Sequence, residues 1–161
     1  MGSYGICRTD NLTGHAFGYD FDTDIENGLL AEVDESTDHI VVTTAIANPQ
    51  LLVASVCNQY DSKDESDFIN DADSGLKART FELKKRDVFT TTQFSTATGD
   101  HLTYATILVG DYVVPVVGGK FGCYTTTSGT SAALECRVIG KTTLNTVNAI
   151  QLRVVKNSLY S

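Results

Sequence analysis

Residues 133–155 read ALECRVIGKTTLNTVNAIQLRVV, and their rhythm decides the fold class. Leu134, Cys136 and Val138 alternate with Glu135 and Arg137, and Ile150, Leu152 and Val154 alternate with Gln151 and Arg153. Period 2 puts the apolar chains on one face of a strand and the polar chains on the other. Strands are therefore expected at 133–139 and 149–155, with a turn at Gly140-Lys141. Working upstream, 121–126, 112–117 and 105–109 read as further strands. They are separated by Gly118-Gly119, a hairpin turn signal, and by Gly110-Asp111. Turn signals this closely spaced predict a small antiparallel β-barrel or sandwich over 99–161.

The first half is less regular. Residues 1–18 hold scattered apolar groups and several glycines, and read as an extended N-terminal arm with a short strand near its start. In 19–33, YDFDTDIENGLLAEV, Asp20, Asp22 and Asp24 fall on one face of an extended segment. Asn27-Gly28 marks a turn. Apolar runs at 39–46 and 51–56 read as buried strands broken by Asn48-Pro49. Residues 58–75 form an acidic, polar excursion in which Ser62 and Glu65 have capping-box spacing, so at most one short helix is expected, at 62–70. A strand follows at 78–89, and the Thr-rich stretch 90–103 offers the one domain boundary. The expected organisation is an arm (1–18), a β-rich region (19–98) and a small barrel-like region (99–161), which can form one continuous domain.

Composition supports a mainly β fold. Thr, Val, Ile, Tyr and Phe are frequent, Pro occurs twice and Trp is absent, and β-branched and aromatic residues favour a pleated surface. At 161 residues, the chain can bury about two thirds of its unfolded surface. A net charge of −8 argues against general nucleic-acid binding, which needs Lys and Arg to meet phosphate. It also argues against a polybasic membrane anchor. No apolar run approaches the length of a membrane helix, and MGSYGICRTD has no signal-peptide core. Neither a nucleic-acid nor a membrane partner is expected.

No motif carries chemistry. Cys7, Cys57, Cys123 and Cys136 form no CxxC pair, so no metal site is expected. A Cys123–Cys136 bridge across a hairpin is geometrically open, though a cytosolic product would keep both thiols reduced. An EF-hand counted from Asp20 would need Gly at Ile25 and Glu at Ala31. His15, His39 and His101 lie outside catalytic motifs, and Thr126 replaces the first glycine of GxSxG before Ser128. No catalytic residue, cofactor or metal is assigned. Lys84-Lys85-Arg86 is the single basic cluster, read as a solvated strand end or as a patch facing an acidic partner.

Several short segments resemble a family of small virion proteins of tailed phages and prophages. They include the opening Ser3-Tyr4-Gly5-Ile6-Cys7-Arg8-Thr9-Asp10-Asn11 and Ile25-Glu26-Asn27-Gly28. Others are Asp67-Phe68-Ile69-Asn70, Ala78-Arg79-Thr80-Phe81-Glu82-Leu83, Gly110-Asp111-Tyr112-Val113 and Gln151-Leu152-Arg153-Val154-Val155. The chain departs from the family at Val56-Cys57-Asn58-Gln59, where Pro-Glu is common. The resemblance implies a non-enzymatic head decoration protein on the capsid surface, made and assembled in the host bacterial cytoplasm. Its expected partners are the major capsid protein and further copies of itself. Expected contact residues are Tyr4, Ile6, Arg8, Phe68, Lys84, Lys85 and Arg86. The alternatives are a tail-tube or head–tail connector subunit, or a carbohydrate-binding module for the host surface.

Overall fold

The computed structural model describes residues 5–48, 50–55, 69–95, 102–126 and 132–157. It is mainly β, with thirteen strands and no α-helix among those residues. The first eight strands are β1 (Cys7–Asn11), β2 (Ala16–Phe21), β3 (Ile25–Glu26), β4 (Leu30–Asp34), β5 (His39–Val42), β6 (Leu51–Val53), β7 (Ile69–Asn70) and β8 (Ala78–Glu82). The rest are β9 (Val88–Thr91), β10 (Tyr112–Pro115), β11 (Phe121–Tyr124), β12 (Leu134–Leu144) and β13 (Val147–Asn157). One 3-10 turn among the described residues spans Ala72–Ser74. The helix expected at 62–70 falls largely outside the described residues.

A closed barrel forms in the first half, in the order β2-β5-β4-β6-β8. The C-terminal strands make a six-stranded sheet, β1-β9-β13-β12-β10-β11. Closure therefore lies upstream of where the turn spacing placed it. The alternation in β12 and β13 fits an open sheet as well as a barrel, because in both only one face is buried. The arm is extended, but it is not free. Residues Cys7–Thr9 pair with Thr91–Phe89 at the sheet edge, and β2 pairs with β8 in the barrel. The Thr-rich stretch begins inside β9, so both sheets draw on residues before it.

The two bodies share a core at their seam, and the barrel holds a second cluster inside. Leu30 and Leu52 are cross-strand partners and fully buried. They point out of the barrel into a cluster with Phe89, Phe121, Val113 and Leu152. Their neighbours Ala31, Leu51 and Val53 point inward, against Phe21, Ile40 and Ala78. Strands β4 and β6 are thus buried on both faces, which is why their sequences are apolar without alternation.

Backbone contacts stitch this seam. Gly119 (φ +77°) in the β10–β11 hairpin accepts a hydrogen bond from the Leu30 amide at 2.7 Å. A Cβ at Gly119 would collide with the Leu30 carbonyl oxygen. On the other flank, Thr91 Oγ1 donates to the Gly28 carbonyl at 3.0 Å. Asn157, at the end of β13, donates to the carbonyls of Gln50 (3.3 Å) and Leu83 (3.1 Å).

Several local expectations change. Residues 105–109 form a turn and loop. There the Asp111 carboxylate accepts the Leu108 amide at 2.7 Å, an alternative to a strand ladder. β12 runs through Gly140 with a register shift between Val138 and Gly140, so that glycine sits at a bulge and not a turn. The turn comes at Asn145 (φ +47°) and Thr146 (φ +69°), with Leu144 paired to Val147. Two successive positive φ values match the twist of a tight hairpin. Cys123 and Cys136 both pair with Val113, from opposite sides of β10. Two strand spacings are about 9.5 Å, beyond the ~7 Å reach of a disulfide. Both thiols are free, and burial pushes Cys123 up to about 12.

Thr146 is β-branched in the left-handed region, a costly place for its side chain. Thr146→Gly is expected to raise stability by about 1 kcal/mol. The denaturation midpoint should rise with an unchanged slope.

Candidate partner-contact surface

The residues expected to make contacts gather along the six-stranded sheet and its rim, as far as they are described. Tyr4 and Phe68 lie outside the described residues. Ile6 precedes β1 and is half-buried. Its amide is 2.9 Å from Thr92 Oγ1, and its carbonyl accepts the Thr92 amide at 3.1 Å. Arg8 is exposed on β1, opposite Thr90 of β9. Its Nε donates to Asp10 Oδ1 at 2.6 Å, and a terminal nitrogen reaches Thr90 Oγ1 at 3.3 Å. Arg8 is therefore half committed to the fold.

Lys84, Lys85 and Arg86 form the turn between β8 and β9, not a strand end. Arg86 adopts φ +78°. The turn is held by Asp87, whose carboxylate is buried within it. Asp87 accepts the Lys84 amide (2.8 Å), the Thr13 amide (3.0 Å) and the Thr13 hydroxyl (2.6 Å). The Arg86 amide donates to the Val154 carbonyl at 2.8 Å. One carboxylate thus fixes the basic turn to the end of the arm, while the backbone fixes it to β13. Lys85 and Arg86 are exposed, and among the described residues no carboxylate pairs with any of the three cations.

A second group was not singled out from sequence. One row crosses the open sheet face through direct partners: Tyr124, Tyr112, Arg137, Arg153 and Val88. The Arg137 guanidinium lies 3.4 Å over the Tyr112 ring and donates to the Gly110 carbonyl at 2.8 Å. Gly110 closes a loop whose tip bears Leu108 and Val109, 66% and 70% exposed. The outward direction of Arg137 and Arg153 was legible. Their neighbours were not, because β10 and β12 are distant in sequence.

A groove of about 400 Å³ runs between β1 and the barrel. Cys7, Leu12, Ser55, Arg79 and Phe81 line it, with the Arg79 guanidinium 4.7 Å from the Phe81 ring centre. The three aspartates expected to share one strand face are drawn to separate partners. Asp20 pairs with Lys77 (2.8 Å), Asp22 contacts His39 (3.0 Å), and Asp24 accepts the Ala72 amide (2.9 Å). Among the described residues no three metal-ligating side chains cluster. No protein-family model matches this chain, and no curated protein matches it either.

Asp10 is the electrostatic anchor of β1. Burial pushes its carboxyl up, but hydrogen bonds from Thr90, Arg8 and Gln151 outweigh that and hold it below the ordinary 3.8. A depressed carboxyl contributes stability that is full above its unfolded value and lost as pH falls through its folded value. Asp10→Asn should therefore cost about 1 kcal/mol at neutral pH. The gap to wild type should close below pH 3.8, as read from urea midpoints across pH.

Proposed function

We propose that the chain is a non-catalytic structural subunit of a tailed-phage-type virion, docking on the outer face of the capsid lattice. The observation that carries this reading is the Lys84–Arg86 turn. Three cations without carboxylate partners among the described residues project from a backbone fixed by Asp87, in a chain of net charge −8. A backbone fixed in this way spares its own ordering cost when the cations meet a carboxylate-bearing surface. The virion setting comes from the sequence resemblance. Exposed apolar tips at Leu108, Val109 and Val117 supply side chains that a partner surface can cover. Repetition over a shell converts weak single contacts into avidity. Ile6 and Arg8 contribute mainly by fixing β1, so the contact is carried by the turn.

Replacing Lys84, Lys85 and Arg86 by Glu should weaken co-sedimentation with purified shells about tenfold at low salt, the effect of losing ~1.4 kcal/mol. The difference should shrink as salt screens the charges. Equal binding at all ionic strengths would make the turn a solvated loop with no role in docking.

A further inference from the structure

Folding brings Lys84, Lys85, Arg86, Arg137 and Arg153 together around β13, from parts of the chain distant in sequence. Arg137 and Arg153 are direct partners across β12 and β13. Their neighbours Cys136, Val138, Leu152 and Val154 fill the core, so both arginines stand on the outward face. Val88 is the next partner in their row. Just before it lies the Lys84–Arg86 turn, bound to the same strand. The Arg86 amide donates to the Val154 carbonyl at 2.8 Å, and the Val154 amide to the Asp87 carbonyl at 2.9 Å. The arginine pair and the basic turn are therefore neighbours.

Like charges placed directly opposite one another destabilise a sheet. Among the described residues no carboxylate lies within ion-pair distance of either arginine. The next partners along β12 and β13 show the ordinary arrangement, with Lys156 3.9 Å from Glu135. Other carboxylates of this sheet are committed elsewhere. Asp10 accepts from Arg8, Thr90 and Gln151, and Asp87 is buried within the turn. Arg137 is fixed in place by the Tyr112 ring, 3.4 Å from its guanidinium, and by the bond from Nη1 to the Gly110 carbonyl. Its Nη2 and Nε make no hydrogen bond among the described residues, and Arg153 is exposed. Direct cross-strand partners hold their Cβ atoms about 5 Å apart, so two guanidiniums can close on one carboxylate between them.

We infer that Arg137 and Arg153 form a carboxylate clamp for an acidic peptide segment, which continues past Val88 to the Lys84–Arg86 turn. An anion held between the two arginines replaces their repulsion by two charge-assisted contacts. The ligand is a peptide and not a nucleic acid for two reasons. A nucleic acid needs rings free for stacking as well as cations, and the Arg137 guanidinium already covers a face of Tyr112. A long phosphate backbone would also run beyond these five cations into a chain of net charge −8, whereas a short acidic segment ends with them. The clamp goes beyond the docking reading, which rests on the turn, and it holds for any partner that presents such a segment.

Calorimetric titration of the purified full chain with a hexaglutamate peptide tests it without any shell. Wild type is expected to bind at low salt, less tightly as salt rises. Arg153→Gln should weaken binding about tenfold or more, as loss of a charged hydrogen-bond partner does. Its Tm should be no lower than wild type, because the change removes a like-charged pair. Arg153→Lys keeps the charge but not the two-pronged geometry, and should also bind more weakly. Lys85→Gln should cost only about twofold, as exposed ion pairs do. Lys120→Gln, in the β10–β11 hairpin, should leave affinity unchanged. Wild type that ignores the peptide, or Arg153→Gln that binds it equally well, would overturn the clamp. So would full affinity in Arg153→Lys, which would reduce the site to diffuse charge. Hexathymidylate bound as tightly as hexaglutamate would overturn the choice of ligand. Because no shell enters the titration, failure here is separate from failure of the docking reading.

Discussion

The contact between Leu30 and Leu52 is the constraint on which the rest of the structure depends. Each lies on a barrel strand, yet each points out of the barrel into the core under the six-stranded sheet. The barrel wall is therefore also the floor of the second sheet. Burying a leucine fully is worth about 1.5–3 kcal/mol, and here the gain requires both bodies in place. The six-stranded sheet buries its inner face against these outward leucines, while the barrel also holds an interior cluster of its own. The glycine contacts at Gly119 and Gly28 follow from this demand, since the strands must approach closely enough to bring Phe89 and Phe121 onto those leucines.

That weld gives the surface its geometry. With β4 and β6 turned toward the sheet, β2 is forced to the far side and the open sheet face to the near side. The basic turn at Lys84–Arg86 joins the two bodies, so Asp87, which shapes it, also ties the arm to the seam.

The last hairpin was legible because its strands bury one face only: Leu134, Cys136 and Val138 read inward, as do Ile150, Leu152 and Val154. Where the barrel closes was not legible, for the converse reason. Leu29-Leu30-Ala31 and Leu51-Leu52-Val53 are buried on both faces and lose the period-2 signal. Closure also needs β2 to run parallel to β5, a pairing that no local turn announces. The 145–146 turn was hidden because Thr146 adopts a backbone region usually left to Gly or Asn. The basic cluster was visible as charge, but the strand reading of 78–89 concealed the turn built around Asp87. The Arg137–Arg153 pair could be placed on an outward face but not set beside Tyr112, since that depends on the β10–β12 pairing.

The central claim is that barrel and sheet are one cooperative body. The chain has no Trp, so a single introduced Trp reports its own surroundings. Phe17→Trp would report the barrel wall and Tyr124→Trp the far sheet edge. Equilibrium urea unfolding of the two variants, each normalised to its own circular dichroism transition, is the direct measurement. The shared Leu30–Leu52 core predicts that fluorescence and circular dichroism coincide in both variants, as one two-state transition requires. A barrel signal that melts at a separate denaturant concentration from the sheet signal would contradict it.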